Sequence, residues 1–274
     1  MSGGGRDNDV VTTSTAEPPA PGLLLLFRHE LVTVWGHRGV RWSIGLGVVL
    51  SVAIAASVAA IAGATWDDWT PSQQADFHPV ALPVIGTVAS TTAFVIAGVL
   101  AVAPGYEGGN SLPAANRGRW AAAKLAAVAL LTALSGLVSM AAMIGFAQLL
   151  LGGYGAPSVA VTGGEAMRAI IAGGLLTPVL PLLAAALAFA VRHTGMGVML
   201  ALFLAWAPEF AGPRVPAALQ DNFFAYLPGP ARDGVALGHV FETTWVPGVA
   251  GGLFATVGWV IAAVAFAVVA ARRG

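Results

Sequence analysis

Long runs of Ala, Val, Leu, Ile and Gly, separated by short polar passages, set the rhythm of this chain. A helix that crosses a bilayer needs about 20 consecutive, mostly apolar residues. The runs at 43–64, 80–103, 124–151, 169–191, 195–212 and 247–270 reach or approach that length. They predict an all-α polytopic membrane protein with six transmembrane helices. The alternating segments of about ten residues that mark a membrane β-barrel are absent. The fifth run is the shortest, and Pro208 and Glu209 interrupt it. Six crossings would put both termini on one side.

The segment 23–42 has a different pattern. Phe27, Leu31, Val34 and Trp35 follow the i, i+4, i+7, i+8 spacing of one helix face. Arg28, Glu30, His37, Arg38 and Arg41 supply the polar character. This predicts an N-terminal amphipathic helix lying in the membrane interface, with Phe27, Arg28, Leu31, Trp35 and Arg38 as its characteristic residues. Gly36 and Gly39 predict a break before Arg41. Residues 1–22 are rich in Gly, Pro, Ser and Thr and have almost no large apolar side chain, so they read as a disordered tail. They do not read as a signal peptide, because the first long apolar run begins near Ser43 and is too long for one. The segment 213–246 holds Pro213, Pro216, Pro228 and Pro230 with Phe223, Phe224 and Tyr226. It is too polar to span, and reads as short helices dipping toward the membrane.

Composition and charge sharpen this picture. The chain is 57% apolar and 9% charged, against about 25% charged for soluble domains. The formal net charge is zero, so charge suggests no nucleic-acid partner. No cysteine is present, which excludes disulfides and thiol chemistry. Arg6, Arg28, Arg38, Arg41, Arg117, Arg119, Lys124, Arg192, Arg272 and Arg273 fall on one side of the drawn spans. Arg168, Arg214 and Arg232 fall on the other. Under the positive-inside rule both termini and the loop 104–123 are cytoplasmic, the tail 1–22 included. Residues 23–274 form the membrane domain, and the segment 213–246 lies outside.

The residues that carry chemistry are sparse. No G-x-x-x-x-G-K-[ST] occurs, and the single lysine, Lys124, follows no phosphate-cradling loop. ATP cannot be bound in that manner, no cofactor is expected, and the chain does not read as an enzyme. His29, His37, His78, His193 and His239 are scattered and predict no metal site. The span interiors are nearly empty of ionisable residues, with Glu209 the one acid near a span. Lys124 and Arg192 lie at span ends, where they can snorkel. Thr177, Pro178 and Pro181 predict a kink in the fourth span, one that could border a cavity. Gly173, Gly174, Gly248, Gly251 and Gly252 allow close helix approach.

Five stretches in order carry a resemblance: "RHELVTVWGHRGVRWSI" (28–44), "FHPVALPVIG" (77–86), "YEGGNSLPAANRGRWAAAKLAAV" (106–128), "VRHTGMGV" (191–198) and "FAYLPGPARDGVALG" (224–238). Their order resembles the membrane subunit of type-2 ATP-binding-cassette exporters, closest to the actinobacterial branch. Relatives have a G-E-Y turn in the first cytoplasmic loop; aligned on Tyr106, their Glu falls at Gly105, and this chain has Glu107. The resemblance implies a permease subunit of an exporter in the plasma membrane, paired as a homodimer or heterodimer and driven by a separate ATPase subunit. It implies that Tyr106, Glu107, Asn116, Arg117 and Arg119 form the surface the ATPase grips. Two other readings come from the residues. One is a non-transport assembly or sensor subunit of a larger membrane complex. The other is a membrane-embedded enzyme acting on lipid phosphates, which would need acidic motifs such as D-x-x-x-D that are absent.

Overall fold

The computed structural model describes residues 22–107, 114–238 and 247–273, without the side chains of 105–116, 209 and 213. The described residues form helices and turns, with no strand among them. The helices are α1 (Leu23–Gly36), α2 (Arg38–Ala64), α3 (Pro71–Ala75), α4 (Thr87–Glu107), α5 (Ala114–Gly153) and α6 (Gly164–Leu176). They continue with α7 (Val179–Val191), α8 (Thr194–Ala211), α9 (Ala217–Asn222), α10 (Pro228–Leu237) and α11 (Val249–Arg273). The tail 1–21 and residues 239–246 of the expected outer segment lie outside the described residues.

Five stretches are long and apolar enough to cross a membrane: Arg38–Ala64, Leu82–Pro104, Arg117–Gly153, Gly164–Val191 and Val249–Arg273. The sixth expected span is a shorter apolar helix, Thr194–Pro208. Helix α5 has 40 residues, and at 1.5 Å per residue it is about 60 Å long, twice the hydrocarbon thickness of about 30 Å. Its first turns therefore belong to what the sequence pattern drew as the loop 104–123. Helix α4 also runs on through Pro104 to Glu107. Arg117 and Arg119 thus stand on a helix, not on a loop.

The core centres on α7, whose side chains from Val179 to Phe189 are mostly buried against α4, α8 and α11. Helices α2 and α11 are peripheral, with Trp42, Leu46, Val49, Phe254 and Ile261 facing outward. Close approach between α4 and α7 depends on Gly98. A Cβ there would collide with the backbone carbonyl of Pro181. Gly174 plays the same part between α6 and α5, where a Cβ would lie 2.7 Å from Leu137 Cα. The expected kink is present. The chain breaks at Thr177 and Pro178 between α6 and α7, and the Thr177 hydroxyl donates to the Gly173 carbonyl at 2.8 Å. The carbonyl that Pro178 cannot serve, that of Gly174, accepts from the Thr177 amide at 3.3 Å, and the hydroxyl takes over the amide's ordinary acceptor, Gly173.

The buried amide of Gln148 on α5 fixes one end of the bundle. It donates to the Pro79 carbonyl at 2.7 Å and accepts from the Val159 amide at 2.8 Å, joining two connecting segments. Near it, Trp66, Trp69 and Phe77 form an aromatic cluster with ring centroids 4.9 to 5.6 Å apart. Helix α10 is short but buried, packed between α6 and α11, and Arg168 donates to the Leu237 carbonyl at its C-terminus at 2.9 Å.

Candidate functional site

Two polar clusters interrupt this apolar bundle, one toward each end of α4. The first joins α1 to α5. The break between α1 and α2 falls at His37, which is extended, four residues before Arg41. Helix α1 folds back onto α5 and buries Glu30 and Val34, with Phe27 and Leu31 packed against the core. Positions 27, 30, 31 and 34 make one helical stripe. The buried stripe therefore includes Glu30, which the sequence reading counted with the polar residues, and leaves out Trp35, about half exposed.

Lys124 lies opposite Glu30. Its ammonium is 2.8 Å from Glu30 Oε2, and both side chains are only 4% exposed. Glu30 Oε2 has no aligned hydrogen-bond donor, so the contact is ionic in character. The Lys124 ammonium also donates to the Ala101 carbonyl of α4 at 3.3 Å and sits 5.1 Å from the centre of the Trp120 ring. Trp120, one turn earlier on α5, packs edge-on against Phe189 of α7 with centroids 5.5 Å apart. The lysine expected to snorkel is thus enclosed by carboxylate, carbonyl and indole face. Each of the three offsets part of the cost of taking a charge out of water. Arg272 of α11 approaches Gly118 of α5 at this same end. Helix α1 and the C-terminal turn of α11 therefore meet the same stretch of α5.

The remaining residues singled out from sequence are placed as follows. Arg28, Arg38 and Arg119 are exposed, and Arg117 is half-buried. The backbones of Tyr106 and Glu107 end α4 and that of Asn116 begins α5, but their side chains lie outside the described ones, as does that of Glu209. Among the described residues no group of His, Asp and Glu is placed to hold a metal ion.

The second cluster lies about ten residues back along α4, roughly 15 Å in helical rise. Arg232 of α10 donates through Nε to Asp233 Oδ1 at 2.9 Å, and its Nη2 lies 2.8 Å from the same oxygen. Its Nη1 donates to Thr91 Oγ1 of α4 at 3.2 Å. Sequence reasoning placed both charges in the outer segment of short dipping helices, without pairing them with Thr91 of α4. The signal available was a run of Pro and Gly opening α10 with small residues around the pair, which lets the helix sink between α6 and α11.

These two clusters are the candidate sites of the described residues. No protein-family model matches the chain, and no curated protein sequence is significantly similar to it. The resemblance to exporter membrane subunits rests on the five short stretches and their order alone.

Proposed function

We propose that the chain is the permease subunit of an ATP-binding-cassette exporter in the plasma membrane. In this reading six spans cross the bilayer, α8 being the shortest. Both termini, α1 and the α4–α5 connection are cytoplasmic, and α1 lies in the interface. The observation that carries the reading is the Glu30–Lys124 contact, which fastens α1 to the first turns of α5. Those turns project beyond the bilayer thickness. They carry Asn116, Arg117 and Arg119, which together with Tyr106 and Glu107 at the end of α4 would be gripped by the ATPase.

Such an arrangement transmits force. A push on the start of α5 moves α1 with it, because separating a buried ion pair costs several kcal/mol, on the order of 3–5 when one partner is left alone. The sparse charge elsewhere in the spans supports cargo movement without a buried proton relay. The partners would be a separate ATPase subunit and a second permease, identical or related.

Affinity capture from crosslinked native membranes tests this. The tagged chain is expected to bring down a protein with Walker motifs, and Glu107→Lys is expected to weaken that capture while leaving membrane insertion intact. Capture of a stable complex without any ATPase would replace this reading with that of a non-transport subunit.

A further inference from the structure

A cleft of about 410 Å³ opens beside the Arg232–Asp233 pair, within the range of about 300–1,000 Å³ usual for small-molecule sites. Its walls are apolar: Leu82, Val84 and Ile85 in the turn before α4, Val88 on α4, Leu180 on α7 and Trp206 on α8. Thr87, Thr91, Arg232 and Asp233 supply its polar end. A narrow crevice of about 10 Å³, the size of one water position, adjoins it and shares Val84, Thr87, Arg232 and Asp233. The crevice reaches Ser139, whose hydroxyl is buried with no hydrogen-bond partner in the protein. A buried, unpartnered hydroxyl is costly unless something fills its hydrogen-bonding capacity. It therefore points to an occupant from outside the chain.

We infer that this cleft binds an uncharged amphiphile with an alkyl or other apolar body and a head of hydroxyl or amide groups. The lining carries one cation and one anion in contact, so a charged head would find no uncompensated counter-charge. The pair still offers both kinds of hydrogen bond. The guanidinium has five N–H donors, of which the protein engages Nε, one on Nη1 and one on Nη2. Asp233 accepts through Oδ1, which leaves Oδ2 as an acceptor. A head that both donates and accepts satisfies the two together. The adjoining crevice lets one of its hydroxyls reach toward Ser139. Ile85 and Val88 are about half exposed, which gives the apolar body a way in. The inference does not depend on the transport reading, which would only add that the occupant is cargo. Binding is a property of the chain by itself, so the absence of an ATPase partner would leave it standing.

Photolabelling of the full chain in nanodiscs tests it. The probes are diazirine-bearing dodecyl chains with a glucosyl, trimethylammonium or phosphate head. The glucosyl probe is expected to label the turn 82–86, α4 near Val88 and α8 near Trp206 more than the other two do. Arg232→Gln is expected to lower that labelling about tenfold, as loss of a charge-assisted hydrogen bond would. Val88→Trp, which fills the cleft from an exposed position, is expected to lower it while Val49→Trp on the outer face of α2 does not. Competition by octyl glucoside added from water identifies a soluble amphiphile as the source, and competition by a dialkyl glucosylglycerol in the disc identifies a bilayer lipid. Equal labelling by all three heads, no effect of Val88→Trp, or competition by neither glucoside overturns the inference.

Discussion

A lysine at the end of an apolar run ordinarily lays its stem along the helix and returns its ammonium to water. Lys124 does not, because α1 folds over it and supplies a carboxylate at 2.8 Å. The sequence pattern made Lys124 visible and left its partner hidden. Glu30 shares the i, i+3, i+4, i+7 stripe of Phe27, Leu31 and Val34, but a face drawn through Phe27, Leu31, Val34 and Trp35 counts it among the polar residues. What the period could not tell was that this face would meet α5 and not lipid headgroups. The pair predicts strong non-additivity. Glu30→Ala leaves an ammonium buried without its counter-charge and should destabilise the protein by about 3–5 kcal/mol. The double change Glu30→Leu with Lys124→Met should recover most of that loss. Thermal unfolding in detergent of the two single variants and the double variant measures the coupling. Additive single effects would mean that the charges do not depend on each other.

At the scale of elements, the apolar runs translate into helices well, since a span must satisfy its backbone internally. Their ends translate poorly. Ala114 to Ala123 read as loop because Arg, Asn and Gly gather there, yet tertiary contact with α1 and α11 continues the helix through them. Helix α10 was harder still, because its buried face consists of Pro, Gly and Ala, residues without a strong period. Packing between elements is set by the smallest side chains. Gly98→Ala forces a methyl against the Pro181 carbonyl and should lower stability by about 1–3 kcal/mol. Gly45→Ala enters open space on α2 and should be neutral or stabilising by up to about 1 kcal/mol. Melting temperatures of the two variants in the same nanodisc distinguish these outcomes; equal shifts would remove Gly98 from the α4–α7 contact.

For the molecule as a whole, the placement of α1 and the end of α11 on one stretch of α5 brings both described ends of the chain to one face of the bundle. In the proposed topology that face is cytoplasmic. The chain has no cysteine, so single cysteines report without background. Gln73→Cys, exposed on α3, is expected to react with an impermeant maleimide in intact cells. Arg273→Cys is expected to react only after the membrane is opened. Reaction of both in intact cells would require an even number of crossings between them, against the five of the proposed topology.

One property of the α1–α5 seam extends to practical chemistry. Lys124 is the sole lysine in 274 residues, and its amine is sealed under a glutamate and an indole ring. Amine-directed acylating reagents therefore find no other side chain to modify. Their rate of incorporation at Lys124 becomes a clock for the lifting of the first helix, readable by mass spectrometry without engineering the protein.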